Sequence, residues 1–346
     1  MDLETINNRA AMGIIVKSLF AARGRTPNAA IFAERAGAPA KVVRVLKDAV
    51  SVGYFGDPEG SGALADWPSI RSAFFELLAA DSAFFRLWSS RALARVPVNT
   101  RVTATAVSAT AARRDEAKPI PATKLTLAQG LLRPVNVGCI LVVSDELADA
   151  MSASAQSLVT SELRSAVARE VDAEFLQLIT DTATLVSAAS GVTAAAARSD
   201  LRAMLEAVNY SGTGSLAWIS SPGAANKLAA LGTTSGGAAF PDVSPVGGEL
   251  FGAPFLVSSG VAANSLHLVN GREIAADLGD LELKPSSEAM VQLDDDPTDP
   301  VDATTVQVSL WQHNLVGVKA TVVFAAERVR DTALATLTDV NYGAAP

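Results

Sequence analysis

One cysteine, Cys139, and two histidines, His267 and His313, are all that this chain of 346 residues offers in thiol or imidazole chemistry. A lone cysteine excludes an internal disulfide framework, and no Cys/His spacing of the zinc-binding kind is present. Cys139 sits in the apolar run VGCILVV, where packing is the expected role. Aromatic residues are also few, at 5% of the chain, although 49% is hydrophobic. Much of that apolar content is alanine, so a core large enough for about two domains must be built from small and aliphatic side chains. No apolar stretch approaches the roughly 20 residues that cross a bilayer. CILVVS and ATVVFAA are strand-sized, and MDLETINNR opens acidic with no apolar h-region, so neither a membrane span nor a secretory signal is expected. Positive charge is short as well: 28 basic against 36 acidic residues leave a net charge of −8. Phosphate contacts need Lys and Arg, which argues against a dedicated reader of nucleic acid but not against a container for it.

Catalytic signatures are equally sparse. No Gly-x-x-x-x-Gly-Lys-Ser/Thr run exists, and no Gly-x-Gly-x-x-Gly follows a strand. His267 and His313 both fall inside expected strands, where a structural role is the ordinary one. Ser235 in GTTSGG lies among glycines without matching Gly-x-Ser-x-Gly, so a hydrolase using Ser235 and His267 is the outlying reading. Asp294, Asp295, Asp296 and Asp299 supply hard oxygen ligands but lack the spacing and distal Glu of an EF-hand, and read as a solvated acidic loop. No cofactor, metal or catalytic residue is expected.

The pattern that is present is one of extended elements. VVSDELADAMSASAQSLVTSELRSAVAREVDAEFLQLI, residues 142–179, is a short strand followed by a helix of roughly 35 residues without Gly or Pro. At about 1.5 Å per residue such a helix spans on the order of 50 Å. Ser144 is placed as its N-cap, with Asp145 and Glu146 in the first turn where the helix dipole favours acids. Leu147, Met151, Ala155, Val159, Leu163, Val167, Val171 and Phe175 recur every four residues, a stripe that drifts around the axis and requires more than one neighbour. Ahead of it, residues 4–22, about 39–51 and 69–90 read as helices and 54–68 as a Gly/Asp/Pro-rich arm. RVTATAVSATAA and KLTLAQGLLRPVNVGCILVVS read as strands flanking RRDEAKPIPATK, residues 113–124. A two-stranded arm of this kind has little core and is marginal alone, so it must lie on something else. Residues 195–290 read as an α/β unit: a helix, the strand SLAWISS, a second helix begun by Ser221-Pro222, a Gly-rich loop, then APFLVS and SLHLV closed by Asn270-Gly271. Residues 306–329 read as two further strands, and there is no internal repeat.

In this order the elements resemble the major capsid proteins of tailed bacteriophages, the Hong Kong 97-type shell fold. FFRLWSS, VPVNTRV, the Glu-before-Pro hairpin tip, LLRPVNVGCILVVSDELADA, AVAREVDAEFL with Asp172 and Phe175, SLAWISSPGAANKLAAL, LFGAPFLVSSGV and NGREIAADLGDLEL follow the family collinearly over most of residues 54–330. The acidic, Pro-rich stretch ahead of SLWQHNLVG departs from the pattern. The resemblance implies an α+β fold with an N-terminal arm, a β-hairpin extended loop, a long spine helix in a peripheral domain and an α/β axial domain. The implied segments are 1–53, a helical extension, either scaffolding-like and cleaved or retained; 54–101, arm and helix; 102–137, extended loop; 138–194, peripheral domain with spine; 195–300, axial domain; and 301–346, return strands and C-terminus. It further implies a structural virion protein assembled in the bacterial host cytoplasm. Copies of the chain would form pentamers and hexamers and close an icosahedral shell around double-stranded DNA, with scaffold, prohead protease, portal and decoration proteins as further partners. Arg113, Arg114, Glu116, Lys118 and Lys124 are the candidate inter-subunit contacts, the Glu116–Lys118 pair first among them; Lys118 and Lys124 are the candidates for the covalent cross-links that some relatives form. An encapsulin-like compartment with a protein cargo is the nearest alternative.

Overall fold

The computed structural model describes residues 13–22, 26–39, 42–43, 46, 78, 80–105, 127–149, 153–180, 185–208, 212, 214–233, 237–294, 297–302 and 305–343. They fall into two compact units, one of residues 1–80, 136–167 and 280–322, the other of 81–135, 168–279 and 323–346.

The second unit carries a seven-stranded sheet in the order Leu185–Ala188, Leu334–Thr338, Leu266–Asn270, Leu216–Ser220, Ala253–Val257, Gly247–Leu250, Val243–Ser244. Leu266–Asn270, third in that order, is buried along its whole length and is antiparallel to Leu334–Thr338 (Leu266↔Leu337) and to Leu216–Ser220 (Leu268↔Trp218). Helices Ala194–Val208 and Pro222–Ala229 cover the sheet, placing Leu201, Met204 and Leu228 in one core with Trp218, Phe255 and Leu268. The second helix begins where the sequence places it: Ser221 accepts a hydrogen bond from Ala224 N at 3.3 Å, and Pro222 occupies the first turn. Its Lys227 ammonium donates to Asn264 Oδ1 (2.7 Å), Val340 O (2.9 Å) and Asn341 Oδ1 (2.8 Å), tying a loop and the C-terminal segment to the helix. Buried Trp218 donates from Nε1 to Leu250 O at 3.0 Å, fastening the sheet to the turn that leads out of Gly247–Leu250.

The long helix runs from Ala153 to Ile179, with a short helix Asp145–Asp149 before it. Ser144 Oγ accepts from Leu147 N at 3.3 Å, the cap expected from sequence. The apolar stripe is covered only toward its end: Leu163, Val167, Val171 and Phe175 are buried, whereas Leu147 is 49% exposed. The expected helix 69–90 is interrupted. Ser82 is extended (φ −116°, ψ 134°) and caps a separate helix, Ala83–Ser89.

The interruption has a cause on the long helix. Asp172, 1% exposed, receives hydrogen bonds from Ser82 Oγ (2.6 Å), Ala83 N (2.8 Å) and Phe84 N (2.9 Å). Two of the four amides that a helix start leaves unpaired are thus satisfied by a carboxylate ninety residues away in sequence. Burial pushes the Asp172 carboxyl above the ordinary Asp range, against hydrogen bonds from Ser258, Ser82, Phe84 and Ala83 that favour the anion. Beside it Phe84 packs on Phe175 and Phe324, each with ring centroids 5.1 Å apart. Gly260 completes the junction: a Cβ there would lie 2.1 Å from Arg169 O and 3.0 Å from Asp172 Cβ.

In the first unit, residues 13–21 and Thr26–Arg35 are helical and bury Ile15, Val16, Leu19, Phe20, Ala29, Ala30 and Ala33. Strand Val135–Ser144 neighbours Leu315–Arg328, and a short ladder pairs Met290–Val291 with Val308–Ser309. His313 departs from expectation. It lies in the turn ahead of Leu315–Arg328, not in a strand, its Nδ1 2.9 Å from Ser309 O, and the next residue, Asn314, is left-handed (φ +50°).

His267 lies in strand Leu266–Asn270, as expected. Its Nδ1 is 3.0 Å from Thr336 Oγ1 and its Nε2 3.4 Å from Ser265 Oγ, and burial lowers its pKa to about 4. The unfolded chain binds the proton more readily, so the neutral form contributes stability that is complete above about pH 6.5 and lost as pH falls through about 4. Urea unfolding from pH 7 to 4 should therefore show the wild type losing on the order of 3 kcal/mol relative to His267→Gln; parallel profiles would contradict this assignment. Asp172→Ala should cost about 3 kcal/mol or more, because it strands two buried amides and a hydroxyl. Gly260→Ala should destabilise comparably through backbone overlap, whereas a midpoint shift within error for both variants would remove the junction from the account.

Candidate assembly surfaces

The second unit also carries a hairpin. Arg101–Thr105 and Leu127–Leu131 pair antiparallel in register Arg101↔Leu131 through Thr105↔Leu127, and form a sheet of their own. Its root is well held. Val98 N donates to Asp277 Oδ2 at 3.0 Å, Asn99 N to Leu132 O at 2.8 Å, and Leu132 N to Thr100 O at 3.2 Å. Val102 and Leu132 pack with Ala275 and Ala325, and Val96, Val98 and Val329 close the cluster. Asn99 takes a left-handed conformation (φ +60°) that turns the chain into the first strand. On the other strand Gly130 passes so close to Glu327 that a Cβ would lie 3.2 Å from its carboxylate. Just upstream, Arg95 stacks 4.5 Å over the Trp88 ring and donates to Trp88 O at 2.8 Å, joining Ala83–Ser89 to the path into the hairpin. Among the described residues no third strand joins this pair.

The candidate contact residues Arg113, Arg114, Glu116, Lys118 and Lys124 lie outside the described residues, as does Ser235. Exposed apolar side chains on the described parts mark surfaces that sequence periodicity did not single out. Val246 (85% exposed) and Phe251 (56%) project at the turns flanking Gly247–Leu250, with Phe251 edge-on to Phe240 at 6.1 Å. In the other unit Met290, Leu293, Val301, Val306 and Trp311 are exposed along residues 290–311, Trp311 to 72%. Side chains of this kind gathered in short segments are characteristic of protein–protein contacts. Their only sequence signal is a large apolar residue inside a turn-rich stretch.

Chemistry at the one buried histidine is not that of a hydrolase. A cavity of about 940 Å³ is lined by Glu174, Gln177, Ser265, His267, Glu327 and Thr336 among others. The Ser265 hydroxyl donates to Ala262 O at 2.5 Å, and the far ring nitrogen of His267 meets Thr336, a hydroxyl where a triad needs a carboxylate. Burial raises the Cys139 thiol pKa, which disfavours the nucleophilic thiolate. Among the described residues no three His, Cys, Asp or Glu side chains gather as a metal would require, and no helix is long and apolar enough to cross a membrane. Asp295 and Asp296 are outside the described residues.

Comparison with known proteins agrees with this reading. The phage capsid family matches residues 62–338. A protein described as a capsid polyprotein from Pseudomonas phage PAJU2 is 32% identical over 323 residues, covering 87% of this chain and 48% of that one. The chain thus spans about half the length of the curated relative it matches. Among solved structures, a chain from Gordonia phage Cozz superposes with a TM-score of 0.52 at 14% identity, covering 72% of this chain and 85% of that one. A chain from Mycobacterium phage Adephagia does so with a TM-score of 0.50 at 16% identity, covering 78% and 90%. These likenesses carry the fold, and the family match with the 32% relative carries the kinship. The chain belongs to the phage capsid family, the structural, non-enzymatic shell proteins of the virion with the Hong Kong 97-type fold.

Proposed function

We propose that copies of this chain assemble into pentamers and hexamers that close an icosahedral shell around double-stranded DNA. The observation that carries the proposal is the rooted but unaccompanied hairpin. Twenty-one residues separate Thr105 from Leu127. They exceed any turn the pairing needs, and they hold the chain's Arg113, Arg114, Glu116, Lys118 and Lys124. On this reading the extended loop (102–137) and the N-terminal arm (around 54–68) lie across neighbouring copies, and the charged tip makes ion pairs there. An exposed pair would be worth under about 1 kcal/mol, so partial burial between subunits is what would give it weight.

The remaining segments take roles by the same logic. Residues 195–300 form the axial domain, and Val246 and Phe251 at its tip are the contacts that gather at the five- and six-fold axes. Residues 138–194 and 301–346 form the peripheral domain, whose exposed Val306 and Trp311 meet other copies. Closed symmetry is what such repeated contacts require, because a non-closing contact would grow filaments. Scaffold, prohead protease, portal and decoration proteins are the further partners this reading calls for.

Deleting residues 113–124 should leave a subunit with the thermal stability of the wild type that no longer forms closed particles in negative-stain electron microscopy. Particles of normal size and yield from the deletion would remove the arm from the assembly mechanism.

A further inference from the structure

Among the described residues every sheet edge but one is short, charged or interrupted by proline. The seven-stranded sheet ends in Leu185–Ala188 and Val243–Ser244, four and two residues long. The hairpin strands have five residues each. A four-stranded sheet runs in the order Ala94–Arg95, Ile274–Ser286, Leu315–Arg328, Val135–Ser144. Its first strand has two residues, and Ile274–Ser286, which continues that edge, carries Asp277, Asp280, Glu282, Lys284 and Pro285. Its other edge is Val135–Ser144, ten residues long. Shortness, charge and proline are the ordinary protections of an edge, because a row of unpaired N–H and C=O groups is a template for another chain. The run VNVGCILVVS has none of the three. Seven of its ten residues are apolar, yet only Val137 is buried, and Ile140 is 53% exposed.

We propose that this edge is an interface with the same strand of a second copy, the two pairing antiparallel about a two-fold axis. Length and charge select the partner. Among the described residues no other edge is both long and uncharged, so an equivalent strand is the one that matches all ten residues. The chain as a whole is net −8 and repels its copies, whereas two such strands bring no charged side chain together. A two-fold contact is also self-limiting: it joins two sheets and leaves only short or charged edges outside, so no fibre grows from it. The inference takes its setting from the shell reading and goes beyond it by naming a pair of strands that joins two copies.

In a two-fold antiparallel pair, residues near mid-strand sit opposite or diagonal to their own equivalents. Ile140, exposed and sixth of the ten, is the residue to change. Full-length Ile140→Lys and Ile140→Glu are each measured alone and as an equimolar mixture by analytical ultracentrifugation, with thermal midpoints as the check on folding. Each alone sets like charges against each other and should associate about tenfold or more weakly than wild type. The mixture should recover association, because Lys then faces Glu. Hydrogen exchange on the wild type, below and above the concentration at which it associates, reads the edge without any substitution: amides of Val135–Ser144 should slow on association. Unchanged amides overturn the inference, as do folded variants that associate like wild type. A mixture no stronger than its parts also overturns it, because a different partner strand gains nothing from mixing. Wild-type chain that closes particles, with Ile140→Lys closing them equally well, removes this contact and leaves the shell reading intact. A wild-type dimer that never closes particles, broken by each charge and restored by mixing, supports the strand pair and sinks the shell reading instead.

Discussion

A carboxylate buried on the face of a helix is costly unless its oxygens are fully engaged. Asp172 meets that condition by capping another helix. Because Ser82, Ala83 and Phe84 donate to it, the chain must break helix at Ser82 and restart in a fixed direction. Ala83–Ser89 then delivers Phe84 to Phe175 and Phe324, and Trp88 to Arg95, and the chain enters the hairpin six residues after Arg95. Ser258 and Gly260, in the turn leaving Ala253–Val257, close the same point from the sheet side. One polar junction therefore ties the long helix, the seven-stranded sheet and the path into the hairpin. An apolar replacement could pack the same space but would not dictate where the helix begins.

Much of this was legible in the sequence wherever the cause is local. Ser144 as a cap, Ser221-Pro222 as a helix start, the strands around Trp218 and His267, and the hairpin flanks all rest on neighbouring residues, and the structure has them. What escaped has distant causes. The stripe Phe74 to Trp88 reads as one helix because its breaker, Asp172, lies ninety residues on. Leu185–Ala188 and Leu334–Thr338 carry weak patterns and become strands by pairing with each other, in parallel, beside Leu266–Asn270. Lys227 looks like an ordinary surface lysine until Asn264, Val340 and Asn341 converge on it. Residues 306–329 read as two strands that include His313, whereas Asn314 turns the chain there. The exposed Val246, Phe251 and Trp311 follow no period, because they sit in turns where neither the helical nor the strand repeat applies.

A shell subunit works by repeating many modest contacts under symmetry, so its informative residues are those that fix geometry: Asp172, Lys227, Trp218 and the root of the hairpin. The buried histidine belongs with them. It bridges Ser265 on the approach to Leu266–Asn270 and Thr336 on the next strand, and it holds the sheet in its neutral form.

The most direct measurement of the central claim is negative-stain electron microscopy, with light scattering, of the full chain expressed alone and concentrated. Closed particles tens of nanometres across, or free pentamers and hexamers, are the result this account predicts. A chain that stays a monodisperse monomer at every concentration would contradict self-assembly as the function of this subunit.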